Sequence, residues 1–509
     1  MDARLTLLDR AIGWISPRAG LDRVRARLVL DYTARLYEGA GFGRATKGWR
    51  ATGASSNAEN APALSVLRNR ARDMQRNNPL VRSAIQHFAG KVVGTGITPR
   101  AQHKSARLRI KAMDAWNRFC DNCDPEGQSD FYGLQHLAAA SMFRDGDVFG
   151  LWLPDEYGVP NSQLRLLEAD HADPYRIEPH HQGARVISGV EVDDWGRRLG
   201  YHLFPVHPGE DGIINVRRDS RFVPGASVDH LFQTDRAGQV RGVSWLASSM
   251  LRMRGIDDVE QSTIMRKRLE ACIGVIFSSP DAAGGSLPVI GEQKKDPKSG
   301  RTNESLHPGM VLRMGPGETA TSFIPASSGD LVDFRRQQLY AFCASTGLAY
   351  HEITGDVSQA NYSSTRAAKL AGDVVIDVVQ WLVFRPRFNR KAWQRVMHRE
   401  AVITGEARFL EVGAEWSPPV RPWTDPLKDI QAKILEIRAG LQTMPEALAE
   451  RGWDWTTQLD EIESFMGALS AKGIVLDTDP RRVNRQGVAQ TEGQAAGDIA
   501  DNFSGKSQG

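Results

Sequence analysis

The residues best suited to binding chemistry in this 509-residue sequence lie in TGDVSQANYSSTRAA, residues 354–368, where amides and hydroxyls precede two cations. Asn361, Ser363 and Ser364 are good N-cap residues, so a helix is expected to start there with free N–H groups. Arg366 and Lys369 fall in its first turns, where the macrodipole disfavours each cation by about 0.3–1 kcal/mol. A docked anion such as phosphate would offset that cost. The alternative is an exposed cap whose charges point into solvent.

Cysteine and histidine pairs are the next candidates, as metal ligands. Cys120 and Cys123 have zinc-ligand spacing, but the sequence offers no second pair to complete the four ligands of a structural site. A pair of small residues at a helix end is the favoured interpretation. His180 and His181 are adjacent, so on a strand they would point to opposite faces and could not chelate together.

A group of carboxylates could serve catalysis. Glu168, Asp170 and Asp173 resemble the clusters that hold two metal ions in nucleases, yet their place after an apolar strand suits an ordinary polar turn. The sequence contains no GxSxG, phosphate-binding P-loop or HExxH motif. We therefore assign no catalytic residue, metal or cofactor, and expect that the chain is not an enzyme.

The overall composition limits the partners. There are 64 basic and 61 acidic side chains, a net charge of +3, which is too small for binding nucleic acid by bulk charge. Residues 64–118 are an exception, with 12 Lys or Arg against only Asp73 and Asp114. This basic block is either a solvated helix face or a surface for an anionic or acidic partner. Four cysteines indicate a reducing compartment, and the longest apolar run, interrupted by Asp377, is too short to span a bilayer.

The elements that must position these residues follow from hydrophobic spacing. Helices are predicted from Ala63 onward, one of them opened by Pro79. Four short strands follow, DVFGLWL, QLRLLE, RVISGVEV and LGYHLFPV, and Gly196 between the last two suits a hairpin turn. A single long helix is then expected over 244–276. The sequence therefore predicts an α+β body followed by a helix.

The second half is predicted to be mostly helical. Residues 277–326 are rich in Gly, Pro and Lys and form a small inserted module with two short strands. A second helix is expected over 328–347 and a third over 364–399, kinked at Pro386. Three shorter helices follow, and the chain is expected to be disordered from about residue 479.

Several motifs together resemble a known family. They are NNPLVRSAIQHFAGKVVGTGITP, FRDGDVFGLW, RGVSWLASSMLRMRGIDDVE, HPGMVLRMGPGE and GLAYHEITGDVSQANYSSTRAA. They closely resemble the portal proteins of lambda-like tailed bacteriophages, from about residue 25 to about residue 405. The last hundred residues match only in helical character.

The resemblance implies the phage portal fold, α+β with an α/β wing, a helical stem, a small α/β clip and a helical crown. It divides the chain into an N-terminal arm (1–62), wing (63–243), first stem helix (244–275), clip (276–327), second stem helix (328–346), tunnel loop (347–364), kinked helix returning to the wing (365–425), crown (426–475) and disordered tail (476–509).

The resemblance also implies function. Usually twelve subunits form a ring at one capsid vertex, through which double-stranded DNA is packaged by the terminase and later ejected. The ring would nucleate capsid assembly, dock head-tail connector proteins and reside in the virion, after synthesis and assembly in the host cytoplasm. Implied partners are the large terminase subunit, the major capsid or scaffold protein, and head-completion or tail adaptor proteins, with no membrane.

Three groups of residues would serve those roles. Non-specific backbone contact with DNA is expected from the tunnel loop and the following helix start, at Gln359, Asn361, Tyr362, Ser363, Ser364, Arg366 and Lys369. Terminase or connector binding is expected from the basic clip loop, at Lys294, Lys295, Lys298 and Arg301, for which a solvated loop tip is the alternative. Stem packing is expected at Met250, Met253, Leu331 and Phe334, which could equally pack within one subunit.

Two other function classes remain open. A DNA-processing enzyme would need a metal-holding carboxylate cluster, and changing Glu168 and Asp170 would then abolish cleavage but not assembly. A monomeric DNA-binding module would need a tight, salt-sensitive complex, which the near-neutral charge disfavours.

Overall fold

The computed structural model describes residues 12, 14–36, 44, 47–48, 51–210, 219–272, 275–277, 294–295, 302–303, 311–313, 331–358, 361–419, 421, 426–451, 453, 455–474 and 476. The chain divides into two compact units, Met1–Glu59 and Asn60–Gly509. The first contains one long helix, and the second contains all the strands described below. Among the described residues, no helix combines the length and hydropathy that a membrane span requires.

Helices and strands are numbered here along the chain. The helices are α1 Pro17–Leu36, α2 Ser56–Asn60, α3 Leu64–Asn77, α4 Pro79–Val92, α5 Ala106–Asn122, α6 Phe131–Asp145, α7 Met250–Cys272, α8 Leu331–Thr346, α9 Tyr350–Thr354, α10 Tyr362–Val379, α11 Arg390–Thr404, α12 Pro426–Arg438, α13 Met444–Ala449 and α14 Trp455–Ala471. The strands are β1 Thr98–Gln102, β2 Asp147–Trp152, β3 Leu164–Glu168, β4 Arg185–Ile187, β5 Val190–Val192, β6 Arg198–Leu203, β7 Arg221–Pro224, β8 Val228–Phe232, β9 Val275–Phe277, β10 Lys294–Lys295, β11 Thr302–Asn303, β12 Val311–Arg313 and β13 Gly413–Ser417. The fold is mixed α+β, mostly helical with small sheets, which confirms the expected class.

Helix α4 begins where the sequence predicts. The side-chain oxygen of Asn78 accepts hydrogen bonds from the backbone N–H groups of Leu80 and Val81, each at 3.0 Å, and Pro79 occupies the first turn. The Asn78 amide also donates to Asp257 of α7 at 2.8 Å. One side chain therefore starts α4 and ties it to α7.

Two antiparallel sheets form the β part of the body. One has the order β3-β2-β8 and the other the order β4-β5-β6-β7. Gly196, with φ 78°, makes the predicted hairpin turn between β5 and β6. The single strand expected for RVISGVEV is wrong, because Ser188 and Gly189 both take positive φ, 47° and 82°, and turn it into the β4–β5 hairpin.

A buried charge cluster connects the two sheets. Asp147 of β2 is completely buried and forms an ion pair with Arg241 and a 3.2 Å contact to Nε2 of His230. Arg241 also donates to the carbonyls of Ser188 at 2.8 Å and Ala169 at 2.9 Å. Burial alone would raise the pKa of Asp147, but Arg241 and His230 hold it well below its usual range. Burial also lowers the pKa of His230 to about 4.

The largest core lies among the helices around Trp116. Its ring packs against Phe131, Trp393 and Trp416 at centroid distances of 5.1, 5.5 and 5.7 Å. Its indole N–H donates to the hydroxyl of Tyr132 at 3.2 Å. Trp116 has no exposed surface, so this one side chain joins α5, α6, α11 and β13.

The third long helix starts and ends close to the predicted positions but differs at Pro386. Instead of a kinked α-helix, a π-helical stretch, Gln380–Asn389, connects α10 to α11. In the α-helical parts, buried residues recur every three to four positions. In the π stretch, the buried pair Val383 and Phe384 is followed by the buried pair 388 and 389, so each member of the second pair is five positions after its counterpart in the first. The π stretch therefore accommodates one extra residue while keeping the same face inward.

The helix expected from residue 244 begins at Met250. Residues 245–249 form turns, and the hydroxyl oxygen of Ser244 accepts a hydrogen bond from the backbone N–H of Leu246 at 3.2 Å. Met250 and Met253 are buried in the core of their own subunit. Leu331 is half-buried and Phe334 is 45% exposed.

Candidate nucleic-acid interface

The polar loop singled out in the sequence lies between α9 and α10. Gly355 ends α9 with φ 70°. Asn361 caps α10, because its side-chain oxygen accepts from the backbone N–H of Ser364 at 2.7 Å while the Ser364 hydroxyl accepts from the Asn361 N–H at 3.1 Å. The predicted helix start is confirmed. Gln359 and the side chain of Tyr362 lie outside the described residues.

Because of this capping arrangement, some of the polar loop residues shape the helix start and others are left exposed. The side chains of Asn361 and Ser364 bind each other's backbone, so they shape the helix start. Ser363 is exposed beside them, and the first turn contains no acidic residue. The helix start therefore presents an exposed hydroxyl without a carboxylate from its own first turn.

The two cations at the start of α10, Arg366 and Lys369, are less exposed than the sequence suggested. A guanidinium nitrogen of Arg366, which is half exposed, lies 3.9 Å from a carboxylate oxygen of Asp429 in α12. Lys369 is half-buried. Part of the charge that an external anion was expected to balance is thus balanced inside the chain.

A lysine on α4 holds both ends of this loop. Nζ of Lys91 lies 2.8 Å from Glu352 of α9, before the loop, and 3.4 Å from Asp373 of α10, after it. Burial alone would raise the pKa of Glu352, but the hydrogen bonds from Lys91 and the Ala349 N–H lower it. Arg421 contacts Asp373 from the other side at 3.5 Å. No local pattern indicates this clamp, since Lys91 is 261 residues from Glu352.

The basic block of residues 64–118 is, as a whole, neither a solvated helix face nor a surface for an anionic partner. Seven of its 12 cations lie within 4.0 Å of a carboxylate. They are Arg68, Arg72, Arg76, Lys91, Arg100, Lys111 and Arg118. Except for Arg76, their partners come from other elements of the chain, so much of the block holds elements together.

The carboxylates considered for catalysis are the partners of two of these arginines. Arg72 contacts Asp170 at 2.6 Å and Glu168 at 3.2 Å, and Arg68 contacts Asp170 at 3.1 Å. His207 approaches Glu168 at 3.3 Å. By distance alone, the side chains of Glu168, Asp170 and His207 could together bind a cation. The adjacent guanidinium groups already balance their charge, which disfavours a metal ion there.

The remaining carboxylate of that group has a structural task. Asp173 accepts hydrogen bonds from the Ser220 hydroxyl at 2.7 Å and from the backbone N–H of Tyr175 at 3.0 Å. The preceding residues form a short helical turn, Ala169–His171. The sequence-based prediction of an ordinary polar turn agrees with this geometry.

The cysteine pair is buried at the end of α5. Burial raises the pKa of the Cys120 thiol to about 12 and raises that of Cys123 as well. The Cys123 thiol donates to the Cys120 carbonyl at 3.5 Å. Protonated thiols are poor metal ligands, so the geometry fits the predicted helix-end role.

The adjacent histidines are not on a strand, and they act on one carboxylate. The backbone N–H groups of His180 and His181 donate to Glu191 at 2.7 and 2.8 Å, and Nδ1 of His181 lies 2.8 Å from it. Nε2 of His202 contacts the same carboxylate at 2.9 Å. The expectation of opposite faces was wrong, because the turn brings both N–H groups toward Glu191.

The comparison with protein families decides what this chain is. A family model described as phage portal protein, lambda family, matches residues 42–380, well over half of the chain. The chain belongs to the lambda family of phage portal proteins. Portal proteins are non-enzymatic virion components of the capsid vertex and form oligomeric rings.

Individual relatives of this portal chain are distant but long. Portal protein B of Escherichia phage lambda is 25% identical over 488 residues, which cover 84% of this chain and 88% of the relative. The portal protein of Escherichia phage N15 is 24% identical over 486 residues, with the same coverage of 84% and 88%.

Solved structures are more distant still. A chain in the neck of the native GTA particle, computed with C12 symmetry, is 14% identical, with a TM-score of 0.38. The match covers 75% of this portal chain and 93% of the other. At this score the likeness carries no structural argument.

Glu191 should give the portal chain a marked dependence of stability on pH. Burial alone would raise its pKa, but the donors from residues 180, 181 and 202 lower it from 4.5 to about 2. Because the folded pKa is lowered, the stabilisation is present above pH 4.5 and is lost as the pH falls toward 2. We expect Glu191→Gln to remove about 3 kcal/mol of this pH-dependent stability, measured as unfolding free energy at pH 7 and pH 2.

The matched control is Glu178→Gln, since Glu178 is exposed and 3.7 Å from Arg176. It should leave the pH profile unchanged. A Glu191→Gln profile that parallels the wild type between pH 5 and pH 2 would refute this account of the carboxylate.

Proposed function

We propose that the chain forms a ring, usually of twelve subunits, that conducts double-stranded DNA into the capsid during packaging by the terminase and out of it during ejection. The observation that carries this proposal is the family match over residues 42–380. The ring also docks head-tail connector proteins and nucleates capsid assembly. Its subunits are made and assembled in the host cytoplasm.

The loop between α9 and α10 is proposed to face the DNA. A conduit must touch phosphates often and hold them weakly, because neutralising many phosphates would make binding tight and steeply salt-dependent. The exposed Ser363 and the partly balanced Arg366 suit that requirement. Gln359, Tyr362 and Lys369 are proposed as further contacts, while Asn361 and Ser364 hold the helix start in shape.

The distribution of charge also supports a weak, transient contact. Most cations of the basic block are paired with carboxylates of the same chain, so they add little to a field that could trap DNA. Few charges per subunit suffice in a ring, since each one is repeated around the axis. Contacts with the backbone, not with base edges, are expected.

The domain assignments remain part of the proposal, with the boundaries given by the resemblance. In the clip, β10 contains Lys294 and Lys295 and pairs with β11, whereas Lys298 and Arg301 lie outside the described residues. We propose that this basic loop contacts the terminase and the head-completion or tail adaptor proteins. The major capsid or scaffold protein is proposed as a further partner.

The stem offers one surface for a neighbouring subunit. A groove of about 350 Å³ lies between α7 and α8, lined by apolar side chains that include Ile264, Val332 and Phe334. These three are 51%, 67% and 45% exposed. Met250 and Met253 are already buried in their own subunit, so Leu331 and Phe334 are the better candidates for packing between stems.

The first test is electron microscopy of the purified protein combined with its mass from light scattering. Rings with a hole wide enough for duplex DNA and a mass near twelve chains are expected. A stable monomer at every salt concentration, also in the presence of scaffold protein, would contradict the proposal.

Removing the two cations of α10 should weaken the binding of DNA. In rings of the Arg366→Gln, Lys369→Gln double variant, we expect weaker binding of duplex DNA at low salt. The slope of log affinity against log salt should fall by about 1 for each phosphate that the variant no longer neutralises. Filter binding or fluorescence anisotropy at several salt concentrations measures this.

The matched control is Lys104→Gln with Arg107→Gln, which removes two exposed cations from another part of the subunit. It should leave the salt dependence unchanged. Equal slopes for wild type and the α10 variant, with rings intact, would show that DNA does not meet this helix start.

A further inference from the structure

Helices α12 and α14 each carry a regular apolar seam. Seam positions separated by alternating steps of three and four residues are typical of helices that pack along one another. On α12 they are Leu427, Ile430, Ile434 and Ile437. On α14 they are Trp455, Leu459, Ile462, Met466 and Leu469.

Neither seam is buried by the part of the subunit that the structure describes. Leu427 and Ile434 of α12 are 66% and 43% exposed, and Leu459 and Ile462 of α14 are 54% and 45% exposed. No described residue between 427 and 476 is buried. The two seams are therefore not packed against each other in one subunit.

Local bonds fix the turns but leave the seams uncovered. Thr443 and Glu446 form a capping box at α13, and Nζ of Lys433 lies 2.9 Å from Glu450. Helices of 13 and 17 residues are marginal in water without tertiary packing of an apolar face. Among the described residues of the subunit, none buries the seams, so a second copy of the chain is a suitable partner.

The charges of the two helices are complementary. Helix α12 contains three basic residues and two acidic ones, a net charge of +1. Helix α14 contains Asp460, Glu461 and Glu463 and no Lys or Arg, a net charge of −3. Arg438 and Glu463 each follow a seam residue by one position, where charges commonly select the partner helix. The two surfaces therefore suit each other better than either suits a copy of itself.

We propose that α12 of one subunit packs along α14 of the next subunit around the ring. The inference rests on the proposed ring, and it adds a specific contact outside the residues matched by the family model. A contact between two different surfaces of identical chains is heterologous, which is the type that closes into a ring. It also couples the folding of these helices to assembly.

Cysteine pairs across the proposed contact test it directly. Ile434→Cys is combined in turn with Leu459→Cys, Ile462→Cys and Met466→Cys, so that the result does not depend on the helix register. Oxidised rings of at least one pair should give a ladder of covalent multimers in denaturing gels. Each variant with only one of these substitutions is the control and should remain monomeric or, at most, dimeric.

The outcomes distinguish this contact from the ring itself. Rings without a ladder for any pair would overturn the contact and leave the ring proposal standing, because the rings would then form without it. A disulfide within single chains would overturn it too. Wild-type protein that forms no rings would overturn both.

A second measurement avoids substitutions. Amide hydrogen exchange of the wild-type protein is compared between assembled rings and dissociated subunits. Amides of α12 and α14 should be protected at least about tenfold more in the ring, while those of α4 change little. Equal protection of α12 and α14 in both states would overturn the inference.

Discussion

Replacing Asp147 by Asn should lower the free energy of unfolding by about 3–5 kcal/mol, because it leaves a buried guanidinium without its counter-charge. Arg241 is only 4% exposed, and its other hydrogen bonds are to neutral carbonyls. Urea unfolding at neutral pH, followed by tryptophan fluorescence, measures the change.

The control for Asp147→Asn is Asp73→Asn, since Asp73 and Arg76 are both exposed and 3.9 Å apart. It should alter stability by less than about 0.5 kcal/mol. The lowered pKa of Asp147 adds a second signature, because its stabilisation is present above its ordinary pKa and is lost as the pH falls through the lowered value. A variant as stable as the wild type at pH 7 would contradict this account.

Truncating Trp116 to Ala should cost about 3–5 kcal/mol through reduced apolar burial and an unfilled cavity. Rings from three other elements have centroids within 5.7 Å of its own, and Phe119 of the same helix lies at 5.1 Å. Thermal unfolding of the same protein preparation measures the change.

Trp195→Ala provides the matched substitution, because Trp195 is 87% exposed at the β5–β6 turn. Its effect should stay within about 0.5 kcal/mol. Similar destabilisation by the two substitutions would mean that the helical core does not depend on Trp116.

Local signals predicted much of the fold. Pro79 and Asn361 act through neighbours within three residues, so their helix starts could be read from the sequence. Gly196 predicted the β5–β6 hairpin because its positive φ is also a local property of the chain. Ser188 was missed because a non-glycine residue with positive φ is rare, and the Arg241 contact that accompanies it comes from 53 residues away.

The candidate site was predictable only in part. The loop and its cap are local, but the balance of its charges is not, because Asp429 and Lys91 belong to other elements. The basic block shows the same limit. A run of cations looks the same in sequence whether its partners are solvent, another molecule or carboxylates a hundred residues away, as with Arg68 and Asp170.

The π-helical stretch between α10 and α11 has a consequence for tolerance to insertions and deletions. Each residue of an α-helix turns it by about 100°. Removing one residue from 385–387 would let the stretch close into α-helix and keep Trp393 and Val396 on the same face as Ile376 and Val379. Removing one residue from α10 or α11 would instead rotate the residues that follow by about 100°. A deletion of one residue is therefore easier to accept in this stretch than in either of the helices that flank it.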